Sequence, residues 1–132
     1  MQFINANLVK GTKRSFSASI SCLSEDNTSF FPLDLNPYSI RFRVLGAPTA
    51  DAKVLLEKII TQNSDPDTVG YIDTPHIGFF VFVITVEDTI KLGLGQHPIM
   101  LEILDGETDE PIYTLTEGGY KGEFNKLYIT EV

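Results

Sequence analysis

The sequence predicts an all-β domain, an antiparallel β-sandwich with one short helical turn at about residues 86–92. Three observations carry this. Ser15 to Cys22 alternates strictly, with Phe16, Ala18, Ile20 and Cys22 on one side and four serines on the other, the period-2 pattern of a half-buried strand. Phe79 to Ile84 (FFVFVI) is an unbroken run of aromatic and β-branched residues, which fits a strand covered on both faces and is too short to span a bilayer as a helix. Turn clusters rich in Gly, Pro, Asn and Asp divide the chain into about eight or nine short apolar segments, a spacing that favours a sandwich over a parallel sheet with helices.

Taken in order, Gln2 to Val9 can form a first short strand, and Lys10-Gly11-Thr12-Lys13 is a turn. The alternating strand to Cys22 follows, with Cys22 expected as a small core residue. Ser24 to Thr28 is a turn cluster, and Phe30 to Leu35 carries Pro32, which marks an edge or a position outside the ladder. Ser39 to Leu45 alternates again, placing Ile40, Phe42 and Val44 inward and Arg41 and Arg43 outward. Val54 to Ile60 suits a helix or a strand by pattern; its β-branched end and flanking turns favour the strand. Val69 to Ile72 is a further short strand between loops.

After Ile84, Thr85-Val86-Glu87-Asp88 has the spacing of a capping box, so one or two helical turns should start there. Gly93 and Gly95 end them, and alternation resumes with Ile99, Leu101 and Ile103 against Met100, Glu102 and Leu104. A strand, a helical crossing and a strand would carry the chain over one end of the sandwich. Asp105 to Asp109 should join two strands as a hairpin, Pro111 to Thr116 returns, Glu117 to Tyr120 turns, and Phe124 to Val132 closes the fold. A single domain over residues 1–132 is expected.

Composition narrows the function. The 132 residues carry 18 acidic and 10 basic side chains, a net charge of −8 that repels nucleic-acid phosphates. Neither a nucleic-acid nor a membrane partner is expected. A single cysteine allows no internal disulfide. The N-terminal residues MQFINANLVKG lack the basic lead and apolar region of a secretory signal, so synthesis in a reducing cytoplasm is expected and the Asn27-Thr28-Ser29 sequon should stay unmodified.

No catalytic motif stands out, and no cofactor is expected. His76 and His97 lack partners at metal-binding spacing and are expected at the surface or an edge. Gly93-Leu94-Gly95 and Gly118-Gly119-Tyr120-Lys121-Gly122 lack the further residues of dinucleotide and phosphate loops. Asp65 and Asp67, and Asp105, Glu107, Asp109 and Glu110, are oxygen-rich loops of the kind that can suit calcium, but their spacing is not that of an EF-hand and plain polar turns are expected. Phe30 and Phe31 are adjacent, so on a strand one must face outward, as a docking surface would require. Candidate contact residues are therefore Phe3 and Ile4, in a segment able to add to a neighbouring sheet, and Phe30 and Phe31. A carbohydrate-binding module is the alternative reading; it would need an exposed aromatic platform, and the chain has no Trp and five scattered Tyr.

Several stretches together resemble a known family: Lys10 to Lys13 with the Phe16–Cys22 strand; Pro32-Leu33-Asp34-Leu35 leading into Tyr38 to Val44; Ile84 to Leu92 with Gly95; and Ile99 to Asp105 followed by Ile112 to Thr116, Gly118 and Tyr128-Ile129-Thr130. They are similar to the immunoglobulin-like, N-terminal-type domain of tailed-phage baseplate upper proteins, although Thr12 stands where that family has an aspartate. The resemblance implies an immunoglobulin-like sandwich and a non-enzymatic virion structural protein. Its role would be capsid decoration, head-fibre anchoring, or tail or baseplate adaptation. The partners implied are capsid, fibre or tail proteins and further copies of the chain, homo-oligomeric in the particle.

Overall fold

A computed structural model of the chain describes residues 5–23, 25–26, 28–49, 51–114 and 125–131. Along these the chain forms β1 (Asn5–Val9), β2 (Arg14–Ser19), β3 (Ser21–Leu23), β4 (Phe30–Pro32), β5 (Tyr38–Leu45), β6 (Val54–Ile60), β7 (Gly70–Thr74), a 3-10 turn (Pro75–Ile77), β8 (Phe79–Ile84), α1 (Val86–Leu92), β9 (Gly95–Asp105), β10 (Pro111–Thr114) and β11 (Asn125–Thr130). The larger sheet runs β1-β11-β9-β5-β6, with β10 also on β9; the smaller runs β2-β8-β7; β3 and β4 form a separate two-stranded ribbon. All pairings are antiparallel except β1 on β11.

This order is that of an immunoglobulin-like sandwich. β2-β8-β7 takes the B-E-D places, and β11-β9-β5-β6 the G-F-C-C′ places of the variable type, with the first strand laid beside the last. The all-β, immunoglobulin-like expectation holds. Val54–Ile60 is a strand, because its pattern is resolved by pairing along β5. Thr85 caps α1 as expected: its hydroxyl accepts from Asp88 N–H, and the Asp88 carboxylate accepts from Thr85 N–H. The helix carries the chain from β8 in the smaller sheet to β9 in the larger, and Thr89 fixes it by accepting Gly11 N–H at 2.9 Å.

The inward residues of both sheets meet in one core. Phe42 of β5 stacks on Phe82 of β8 with ring centroids 4.8 Å apart, and Phe82 stacks on Phe16 of β2 at 5.2 Å. Antibody domains pin their sheets with a disulfide packed on a tryptophan. This chain has one Cys and no Trp, and a stack of three phenylalanines spans the two sheets in that role. Ile40, Ile60, Ile99, Leu101, Ile103, Leu127 and Ile129 complete the core around it.

Three expectations are corrected. Cys22 is half-buried and outside the core, because the chain leaves the sheet at Ile20 and Cys22 falls on the ribbon. β8 is fully covered on one face only, since Phe79 and Val81 are half-buried. The strands number eleven among the described residues, because the predicted Ser15–Cys22 strand is divided into β2 and β3. Gly118, the turn at Glu117 to Tyr120 and Phe124 lie outside the described residues.

Candidate interaction surface

Phe30 and Phe31 are 70% and 49% exposed, Phe30 the most exposed of the large hydrophobic side chains described. They sit on β4, in the ribbon that leaves β2 where the alternation ends. Ile20 is the pivot. Its N–H bonds Gly78 C=O at 3.0 Å, and its C=O accepts Leu33 N–H at 2.9 Å; Leu35 N–H then bonds Pro75 C=O at 2.8 Å. Leu35 is fully buried, so both ends of the ribbon are tied to the sandwich. Gly78 permits the close approach. It has φ +72°, and a Cβ there would lie 2.4 Å from Ile20 O and 3.0 Å from Leu33 O. The 3-10 turn so held presents Ile77, 44% exposed, at the same end of the molecule.

Pairing registers define that end. Ser19 faces Phe79, Thr74 faces Phe79, Tyr38 faces Asp105, and Ile40 faces Ile60. The stretches at that end, strand tips included, are 20–37, 61–63, 73–78 and 105–111. None contains Lys or Arg, while they hold three, zero, one and four carboxylates respectively. Those eight acids equal the net charge of −8 of the whole chain.

The acidic loops are internally ordered. Asp34 accepts Asn36 N–H at 2.9 Å and its side-chain amide at 2.8 Å, which holds its carboxyl below the usual range, with a smaller contribution from His76. Asp105 accepts the N–H groups of Glu107 at 2.8 Å and Thr108 at 3.1 Å, with the same effect. Asp109 adopts φ 59° to close the turn. Asp65 is lowered first by Asp67 N–H and then by the Thr68 hydroxyl. Of the carboxylates read above as possible calcium ligands, Asp65 and Asp105 act as turn-forming acceptors, and no group of three or more His, Cys, Asp or Glu side chains suited to a metal occurs among the described residues. His97 donates its Nε2–H to Gly93 O at 3.0 Å, and His76 is exposed on the 3-10 turn.

Strand edges are guarded, so the ribbon's side chains rather than bare backbone face solvent as the sticky element. Pro32 removes a donor from the three-residue β4. Asn7 C=O on β1 accepts from Arg14 at 2.6 Å. β7 is kinked between Ile72 and Thr74. β6 carries an inward-pointing charge, Lys58, 8% exposed, whose ammonium donates to Thr68 O at 2.6 Å, Val83 O at 2.7 Å and the Asp88 carboxylate. On the outer face of the larger sheet Glu102 accepts from Arg41 at 2.9 and 2.7 Å and pairs with Arg43, which also meets Glu57, so the charges there balance.

Of the predicted contact residues, Phe30 and Phe31 stand exposed together, and Phe3 and Ile4 lie outside the described residues. The following Asn5–Val9 is paired with the chain's own β11. The tyrosines supply no common platform among the described residues: Tyr38 packs on the core, while Tyr71 and Tyr128 are half-buried in different sheets. Sequence reasoning missed Ile77, Gly78 and the one-sided charge, whose signal was the absence of Lys and Arg from every segment now gathered at one end. No helix among the described residues is long and apolar enough to cross a membrane.

No protein-family model matches the chain, and no curated protein matches it. Among solved structures, the chain is similar to the NK cell receptor Nkp44, a triggering partner in natural cytotoxicity, with 12% identity, 96% of this chain and 98% of that chain covered and a TM-score of 0.49. It is also similar to a chain of the ZIG-8–RIG-5 IG1–IG1 heterodimer, with 12% identity, 99% and 83% covered and a TM-score of 0.40.

Proposed function

We propose that this chain is a non-enzymatic structural protein of a tailed-bacteriophage virion, working through protein–protein contacts as a capsid decoration or head-fibre anchor, or as a tail or baseplate adaptor. The observation that carries the contact role is the adjacent pair Phe30 and Phe31, held in water on a ribbon braced to a rigid sandwich. Exposing two large aromatic rings is unfavourable in an isolated chain, and a partner that covers them recovers apolar burial. The phage setting rests on the motif resemblance from Lys10 to Thr130. Mass spectrometry of purified particles from the phage that encodes the chain tests it: a fixed stoichiometric amount is expected, and absence from particles overturns the reading.

A further inference from the structure

We propose that the end of the sandwich bearing Phe30, Phe31 and Ile77 docks a cationic protein surface, one that offers arginine or lysine side chains around an apolar recess. The proposal deepens the contact role above and rests on that reading for its biological setting. Three apolar side chains stand exposed at this end, at 70%, 49% and 44% exposure. The rim decides what fits it. The 105–111 connection places Asp105, Glu107, Asp109 and Glu110 at the same end, Asp34 and Asp73 flank it, and no Lys or Arg occurs in any of its segments.

Charge complementarity separates the possible occupants. A nucleic acid or an anionic lipid surface would meet like charge and is repelled. A second copy offering its opposite end brings no net positive charge. There Lys10, Lys13, Arg14, Lys53 and Lys91 are matched by Asp51, Asp65, Asp67, Glu87 and Glu131, and Lys58 is consumed by Asp88. A cationic protein surface alone gains from both features. Its apolar recess covers the rings, its guanidinium groups can pair with the rim carboxylates, and they can stack on phenylalanine faces. The rim is also pre-shaped: Asp34 and Asp105 are already fixed by backbone N–H donors, so little order is lost on docking.

The test uses the isotopically labelled full chain and two synthetic probes, an alternating Arg-Leu octapeptide and its Glu-Leu counterpart, followed by two-dimensional amide NMR. The Arg-Leu peptide should shift amides of 30, 31, 33, 76–78 and 105–110 as one cluster, and the Glu-Leu peptide should shift none. Phe30→Ser/Phe31→Ser should weaken the Arg-Leu peptide about tenfold or more. Asp105→Asn/Glu107→Gln/Glu110→Gln should weaken it severalfold and flatten its salt dependence. Shifts scattered over the whole surface, unchanged affinity in the phenylalanine variant, or equal binding of the Glu-Leu peptide would each overturn the proposal. Because the assay needs no particle, its failure is distinct from absence of the chain in virions, which bears on the proposed setting alone.

Discussion

Lys58, on the edge strand β6, reaches inward to share the Asp88 carboxylate with the N-terminus of α1. One buried ammonium thereby joins three elements, since it also holds the carbonyls of Thr68 and Val83. A buried pair of this kind adds little over an apolar substitute, but removing one partner leaves the other in a poor environment. Lys58→Met should cost about 3 kcal/mol in urea unfolding, and Lys58→Met/Asp88→Leu should recover part of it. Loss of the inward charge also strips β6 of its guard, so Lys58→Met should associate with rising concentration in sedimentation runs.

Phe82 lies between Phe16 and Phe42, fully buried, and spans the two sheets. Phe82→Ala should destabilise by about 3–5 kcal/mol, because it removes both stacked contacts and leaves a cavity. Phe82→Leu should cost less. Thermal melts followed by circular dichroism compare the two.

Gly78 separates the stability of the ribbon from its chemistry. A Cβ there meets the backbone oxygens of Ile20 and Leu33, atoms that cannot swing away. Gly78→Ala should shift the amides of residues 20, 33 and 77 and weaken partner binding with Phe30 and Phe31 untouched. Gly11 has a similar positive φ with open space around it, so Gly11→Ala should cost only about 1 kcal/mol and leave binding intact.

Acid should loosen the loops in a defined order of sign. Asp34, Asp65 and Asp105 have folded pKa values below the ordinary 3.8, chiefly through backbone N–H donors. Their contribution to stability is full above that ordinary value and is lost as pH falls through the lowered folded values. Asp105→Asn keeps an acceptor oxygen but does not titrate, so its stability should fall less steeply with acid than that of the parent, as read by urea unfolding across that range.

Much of the fold was legible in local pattern. The Phe16–Ile20 alternation, the Ile40–Val44 alternation and the Thr85–Asp88 capping box each encode their geometry within a few residues. What escaped depends on contacts distant in sequence. Nothing around Cys22 signals that the strand breaks at Ile20, because the break is made by Gly78 and Leu33. Met100, Glu102 and Leu104 alternate as outward residues yet are buried, and Glu102 is made tolerable there by Arg41 and Arg43 on the neighbouring strand. Lys58 reads as the polar side of a helix; the alternation of the strand instead turns it inward with Leu56 and Ile60, where Asp88 of α1 pairs with it. At the candidate surface, exposure of one phenylalanine was readable from adjacency. The acid-only rim was not, because its segments are scattered from residue 20 to residue 111.

The most direct measurement is the copy number of Phe30→Ser/Phe31→Ser in purified particles, scored against the parent chain with matched thermal melts. Exposed rings contribute little to the isolated fold, so the melts should coincide while the variant is depleted from particles about tenfold or more. A variant that melts as the parent does and fills particles to the parent's level would contradict docking through these two phenylalanines.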